Sequence, residues 1–279
     1  LLFNLNPLRA GYNQADKYQL LRRVADRLRA VPNVRSVSWS RYALVGNSVA
    51  INAIRIPGQP SETGKPMPCH LLPVGPNFHE TMGIPILLGR PIGERDDSAA
   101  PKRAVVNEAF VKKYMPGIQP VGRQFLRTGR DQGAPVEIVG VAGDARYGEL
   151  RGPVPPIAYV PDEQLPSPSA GAVFELRTGG RPESVIAAVR GAVREIDPHL
   201  PVFNVRTQQG QINEHLRQER LISLLAGAFA ALAVLLAAGG AQAGLQSVWA
   251  VDDGEKIFRD NINSPLETGQ GNSVWNGSS

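Results

Sequence analysis

Cysteine is almost absent from this sequence, since Cys69 is the only one in 279 residues. That count excludes an intrachain disulfide and any metal or redox site built on a cysteine pair. Histidine is scarce too, and no two histidines have the spacing of a zinc site: His70, His79, His199 and His215. The sequence therefore predicts neither a metal nor a cofactor.

Two common catalytic motifs are missing as well. A P-loop requires G-x-x-x-x-G-K-[ST], but Gly64 and Lys65 are followed by Pro66, and no glycine stands five residues before Gly64. The G-x-S-x-G elbow of serine hydrolases does not occur. We therefore nominate no catalytic residue and expect that the chain is not an enzyme.

The nucleophilic and charged side chains that remain have plainer interpretations. Cys69 and His70 are neighbours in a predicted strand and point to opposite faces, so a buried structural cysteine is favoured over a nucleophile. Asp96, Asp97 and Asp144 could offer carboxylates for acid-base chemistry or Ca²⁺, but Asp97 lies in a charged loop typical of solvated side chains, and Asp144 follows a glycine as a turn residue. Three arginines could hold an anion, but no predicted helix N-terminus accompanies them: Arg123, Arg127 and Arg130.

Composition and charge indicate a globular chain with an ordinary surface. Hydrophobic residues make up 42% of the sequence, and the 29 glycines and 24 prolines predict many turns. The net charge is +5, but the basic residues are scattered and form no dense block interleaved with aromatic residues. This pattern is typical of a solvated basic surface, so no nucleic-acid partner is predicted.

Hydrophobic spacing predicts a β-α-β unit at each end of a β-rich middle. The first unit contains a helix over 16–30, and the last contains a helix over 182–197 whose buried face includes Val189. In the middle, Asn107 is a predicted N-cap that joins a strand to a short helix over 108–115. The fold class is therefore α+β, built on two split β-α-β halves.

This order of elements suggests a domain organisation. We expect residues 1–65 and 165–216 to form one subdomain, with 66–164 inserted as a second, β-rich subdomain. The chain begins without methionine, and we expect it to be part of a longer protein.

The longest hydrophobic run covers 221–251, where no residue is charged. As a helix, the first 21 residues of this run would span about 30 Å, which is the thickness of the hydrocarbon core of a bilayer. We therefore predict a transmembrane helix over 217–243. Acidic residues follow the run and arginine precedes it, which does not favour a cytosolic tail under the positive-inside rule.

Two other interpretations of this run stay open. A helix buried on every side within a soluble binding module would also lack charges. Alternatively, the apolar run ends in an A-x-A pattern at 241–243 that is typical of an export signal. In that case 244–279 would begin a secreted, glycoside-hydrolase-like chain fused to a foreign reading frame.

Several stretches occur in an order that resembles a known family. They are VGPNFHETMGIPILLGRPIGERD, AVVNEAFVKKYMPGIQPVGRQF, EIVGVAGDARYGEL and AVREIDPHLPVFNVRT, after an opening LLFNLNPLRAGYNQADKYQLLRRVADRLRAVPNVRSVSWS. Together they resemble the extracytoplasmic core domain of bacterial ABC-type permeases of the MacB/FtsX class. The duplicated orphan permeases of acidobacteria are particularly similar. The resemblance covers 1–240.

The resemblance implies a porter-like β-α-β subdomain with an inserted subdomain, followed by a transmembrane helix. It further implies a non-catalytic subunit of the bacterial inner membrane, with the core domain in the periplasm. Its partners would be a cytosolic ABC ATPase, membrane lipid and a second permease in a dimer. After residue 240 the sequence departs from the family, and 244–279 form a tail of uncertain origin. We therefore expect a truncated permease that is not competent for transport alone.

Overall fold

The computed structural model describes residues 1–43, 51–58, 67–128, 135–146, 152–165, 171–214 and 224–236. The chain divides into two compact units, Leu1–His215 and Leu216–Ser279.

The first unit mixes strands and helices. Its strands are β1 Leu2–Leu5, β2 Val34–Ser40, β3 Ile51–Arg55, β4 Met67–Val74, β5 Ile86–Gly89, β6 Arg103–Asn107, β7 Gln124–Thr128, β8 Val136–Ala142, β9 Ile157–Pro161, β10 Ala172–Thr178 and β11 Phe203–Arg206. Its helices are α1 Gln14–Arg29, α2 Phe78–Met82, α3 Glu108–Tyr114, α4 Ile186–Ile196 and α5 over 208–214. Short 3-10 turns cover Leu8–Ala10, Asp162–Gln164 and Pro182–Val185.

Four strands form an antiparallel sheet in the order β11-β1-β10-β2. One face of this sheet carries the aromatic core, where the Phe3 and Phe174 rings stack at 5.3 Å and Trp39 lies 6.0 Å from Phe174. Helices α1 and α4 cover that face through apolar stripes that include Leu21 and Val189. Period-two alternation in the strands and period-3.6 spacing in the helices thus create one shared core.

Six other strands form a closed ring in the order β4-β3-β7-β8-β6-β9, because β9 pairs back onto β4 in parallel. Every strand of the ring contributes to one apolar cluster, which also takes in α3 through Phe110 and Tyr114. A cluster that draws on all six strands lies on the inner face of the ring. Strand β5 is an added edge that pairs with β8.

The sheet and the ring meet where β2 ends against β4, with Ser40 opposite Val74. Helix α2 lies against the second face of the sheet, and Ser36 and Thr81 share a hydrogen bond of 2.7 Å there. Gly83 ends α2 in a left-handed conformation (φ 70°), which glycine adopts without steric cost.

The mixed α and β composition agrees with the predicted class, and most predicted elements are present. Helix α1 begins at Asn13, whose side chain accepts a hydrogen bond from the Asp16 amide, and Asn107 caps α3 in the same way as predicted. The predicted helix over 182–197 begins as a 3-10 turn and continues as α4, with Val189 buried at 1% exposure. Strand β7 was not predicted, because its polar sequence QFLRT shows weak alternation.

The second unit contains a described helix, α6, over 224–236. Its large apolar side chains are exposed, from 52% for Leu232 to 70% for Leu224. The remainder of the predicted transmembrane segment, 217–223 and 237–243, and the tail 244–279 lie outside the described residues. Among the residues that are described, no helix is both long and apolar enough to cross a membrane.

Candidate functional site: a buried ion cluster between sheet and ring

Three charged side chains meet where the sheet joins the ring. The Asp162 carboxylate accepts hydrogen bonds through Oδ1 from Arg41 Nη2 at 2.7 Å and Arg41 Nε at 3.1 Å. Its other oxygen, Oδ2, lies 3.6 Å from Lys17 Nζ. The side chains of Lys17 and Asp162 are 0% and 1% exposed, and that of Arg41 is 10% exposed. Buried charges of this kind need partners, and here two cations share one carboxylate.

Each member of the cluster comes from a different element. Lys17 lies in the first turn of α1, Arg41 follows the last residue of β2, and Asp162 follows the end of β9. Since β9 belongs to the ring and the other two elements belong to the sheet layer, the cluster connects the two parts of the first unit.

Two further contacts reinforce this connection from α1. The Tyr18 hydroxyl donates to the Asp162 backbone carbonyl at 2.9 Å. Arg22 Nη2 lies 2.8 Å from Glu163 Oε1. Burial raises the pKa of Tyr18 and lowers that of Lys17, while the nearby Asp162 carboxylate opposes the lowering. These buried contacts suit the cluster to holding the two parts of the unit together.

A narrow cleft lies beside the cluster. Its walls include Trp39, Gly75, Asp162 and Glu163, and its free volume is about 10 Å³. A pocket for a small organic substrate is typically 300 Å³ or more, roughly, so this cleft is far too small for one.

A second buried carboxylate, Asp96, organises the loop after β5. Arg90 and Arg103 donate to it at 2.7 Å and 2.9 Å, and the Gly93 amide donates at 3.0 Å. Burial alone would raise the pKa of Asp96, but these three donors outweigh it and lower the pKa to about 2. Asp96 is therefore buried, although its neighbour Asp97 was expected to be solvated, because Arg90 and Arg103, six and seven positions away, close over it.

Cys69 is buried and unpaired with any other cysteine, as the sequence predicts. Burial raises the pKa of the Cys69 thiol to about 12, so the thiolate needed for nucleophilic attack is suppressed. His70, which is half-buried, follows it in β4.

The described histidines do not converge. His79 is 1% exposed and packs edge-on against Tyr159 with ring centroids 4.7 Å apart. Burial lowers the pKa of His79 to about 4. His199 is exposed after α4, and His215 lies outside the described residues. Within the described ranges no group of histidine, cysteine and acidic side chains could hold a metal ion.

Asp144, which was expected to be a turn residue, also makes hydrogen bonds at the start of α3. Its Oδ1 accepts from Asn107 Nδ2 at 2.8 Å and from the Ala109 amide at 2.9 Å, so it supports the start of α3. Of the three arginines considered for an anion, Arg123 is exposed, Arg127 lies in β7 and Arg130 falls outside the described residues.

Sequence reasoning missed the Lys17, Arg41 and Asp162 cluster altogether. The available signal was Lys17, a charged residue three positions before Leu20 and so on the same helix face as the apolar stripe of α1. Asp162 itself follows a proline-bracketed strand and looks like any turn residue. The partners are separated by 121 and 145 positions in the chain, and nothing in a single sequence joins them.

Comparison with known proteins agrees with the architecture. Residues 2–192 match the family model described as the MacB-like periplasmic core domain. No curated protein matches the chain.

Three solved structures are similar in fold. The periplasmic region of MacB from Actinobacillus actinomycetemcomitans is 12% identical over 78% of this chain and 92% of that one, with a TM-score of 0.48. The extracellular domain of the noncanonic ABC-type transporter YknZ from Gram-positive bacteria is 16% identical, over 73% and 100%, with a TM-score of 0.45. A domain of a putative permease from Porphyromonas gingivalis is 15% identical, over 68% and 84%, with a TM-score of 0.43.

All three structural likenesses are distant, at 12–16% identity. The family model is different, because it spans more than half of the sequence. This chain belongs to the MacB-like periplasmic core domain family.

Proposed function

We propose that the chain is the periplasmic part of an ABC-type permease subunit and has no catalytic role of its own. It would carry motion between transmembrane helices, driven by a cytosolic ATPase, and a substrate or partner in the periplasm. The observation that carries this proposal is the match of residues 2–192 to the MacB-like periplasmic core domain.

The contacts between sheet and ring support a mechanical role. A domain that transmits displacement must move as connected bodies, and the buried Arg41–Asp162 and Lys17–Asp162 pairs join β9 to the sheet layer. Breaking one partner of a buried pair typically costs about 3–5 kcal/mol, so such a joint resists separation.

Membrane anchoring is the second part of the proposal. Helix α6 exposes leucine, valine and phenylalanine side chains, including Leu225 at 54% and Phe229 at 67%. A helix that is apolar all round and exposed is stable in lipid and unfavourable in water. We propose that 217–243 anchor the chain in the bacterial inner membrane, with the core domain in the periplasm.

The partners follow from this role. An ABC ATPase subunit would act through the full-length permease, and two permeases could form a dimer. We propose that the chain does not transport on its own, because it would act only through that permease and its ATPase.

Fractionation of the full chain expressed in bacteria tests the anchoring. The wild-type chain is expected to stay with membranes during carbonate extraction. Replacing Phe229→Arg and Leu232→Arg should release it, since an arginine at the centre of a span costs about 2.5–3.5 kcal/mol. The matched control replaces two exposed leucines of β5, Leu87→Arg and Leu88→Arg, and should leave membrane association unchanged. Release of the wild-type chain by carbonate would contradict the proposed membrane anchor.

A further inference from the structure

Within the part of the chain that the structure describes, two buried polar atoms next to the ion cluster have no hydrogen-bond partner. They are Trp39 Nε1 and Asp162 Oδ2. Both residues are only 1% exposed. Asp162 Oδ2 has the Lys17 ammonium 3.6 Å away, so its charge is paired although it accepts no hydrogen bond. The Trp39 indole N–H has neither, and an unsatisfied polar group at such depth costs about 1–3 kcal/mol.

The two residues line one cleft. Trp39 enters it from β2, its ring resting on Gly75, and Asp162 enters from the turn after β9. The free volume of about 10 Å³ is close to the smallest space that holds a single water molecule. Arg22 and Glu163 also line the cleft and can supply further polar contacts.

The chemistry of the two atoms restricts what can bind between them. The indole N–H can only donate a hydrogen bond, and the carboxylate oxygen can only accept one. A cation would face the indole N–H and the two cationic side chains of Lys17 and Arg41. An anion would face the Asp162 carboxylate. The ligand must therefore be neutral, must both accept and donate, and must be no larger than one heavy atom with its hydrogens.

We propose that a single water molecule binds in this cleft, accepting from Trp39 Nε1 and donating to Asp162 Oδ2. It is a structural component of the junction, because it joins β2 of the sheet to the segment that follows β9 of the ring. This inference goes beyond the proposed function and does not depend on it.

Nuclear magnetic resonance of the full chain in detergent micelles tests the proposal. Tryptophan is labelled with ¹⁵N at the indole nitrogen, which gives three signals for the three tryptophans. The Trp39 signal is the one absent from Trp39→Phe. If that variant fails to fold, Trp249→Phe and Trp275→Phe assign the other two and leave Trp39 intact.

A direct cross-relaxation peak between the Trp39 indole proton and water is expected. This peak should have the same sign as the cross-relaxation peaks between two protons of the protein, because a bound water tumbles with the protein. Rotating-frame spectra separate this peak from proton exchange. The absence of cross-relaxation with water at Trp39, or a signal from exchange alone, would overturn the proposal. So would a short Trp39 indole contact to a protein proton that fills the cleft.

Discussion

Arg41 Nη2 lies 2.7 Å from Asp162 Oδ1, and the two side chains are 10% and 1% exposed. Lys17 lies on the other side of the same carboxylate. One anion thus serves two cations from separate elements. Its removal leaves two positive charges facing each other away from water, which is more harmful than loss of a single surface pair.

Asp162→Ala is therefore expected to destabilise the first unit by about 3–5 kcal/mol. Chemical denaturation followed by circular dichroism measures the change. The control is Glu195→Ala, which removes an ion pair to Arg27 whose members are 41% and 60% exposed. That change should cost about 0.5 kcal/mol or less. Equal losses in the free energy of unfolding for the two variants would show that the buried cluster stabilises the first unit no more than an exposed ion pair does.

Gly75 is in contact with the face of the Trp39 indole. A methyl group added at Gly75 would lie 2.5 Å from Trp39 Cδ2, whereas one added at Gly93 would meet nothing within 4 Å. Gly75→Ala should therefore displace the indole and cost about 1–3 kcal/mol or more, while Gly93→Ala should be near neutral. Thermal melting and the near-ultraviolet signal of tryptophan measure both effects. A Gly75→Ala variant with unchanged melting temperature and unchanged tryptophan signal would contradict the close contact between Gly75 and the Trp39 ring.

Val189 occupies the buried face of α4 at 1% exposure, and the next residue back, Ala188, is exposed. Val189→Asp places a charge in the core and is expected to unfold the first unit. Ala188→Asp introduces the same charge one position away and should leave the melting temperature almost unchanged. Comparable melting curves for the two variants would show that the face of α4 is wrongly assigned.

Glu175 is a buried carboxyl in the middle of β10. Burial raises its pKa to about 8, although hydrogen bonding to Ser40 works against the rise. Ser40 Oγ donates to the Tyr42 carbonyl at 2.7 Å and lies 2.5 Å from Glu175 Oε1. A protonated Glu175 can donate a hydrogen bond to Ser40 Oγ. A charged Glu175 can only accept one, so it competes with the Tyr42 carbonyl for the single hydroxyl proton of Ser40.

The sign of the pH effect follows from this pKa. Because the folded chain holds the Glu175 proton more tightly than the unfolded chain, the contribution to stability is fully present below about pH 4.5 and is lost as the pH rises through about 8. Glu175→Gln imitates the protonated form and should weaken the decline in the free energy of unfolding over this range. Denaturation at a series of pH values measures it. A variant whose stability falls as steeply as that of the wild type would exclude Glu175 as the source.

The elements that were predicted correctly are those whose conformation depends on residues close together in the sequence. The stripe of α4 and the N-cap at Asn107 depend on neighbours within a few positions, and both are present in the structure. Strand β7 was missed because its pairing partners, β3 and β8, supply the reason for its conformation. Strand propensity depends on context in this way.

The candidate site depends almost entirely on contacts that sequence alone does not reveal. Asp162 is an ordinary acidic loop residue until Arg41 and Lys17 from other elements close over it. Asp96 is covered by Arg90 and Arg103, which are only six and seven positions away, but no spacing rule predicts that loop conformation. The closure of the ring through β4 and β9 is non-local, and its parallel pairing joins residues 87 positions apart, such as His70 and Ile157.

Labelling of a single cysteine shows whether the first unit faces the periplasm, as proposed for the anchored chain. Cys69 is 0% exposed and should give no background, so Ser184→Cys, at an exposed position before α4, provides a single reactive thiol. The full chain is expressed in bacteria, and intact spheroplasts are treated with a membrane-impermeant maleimide. Labelling of Ser184→Cys before lysis, with none of the wild-type chain, is the predicted result. Labelling that appears only after the inner membrane is opened would place the first unit in the cytoplasm and exclude the proposed orientation.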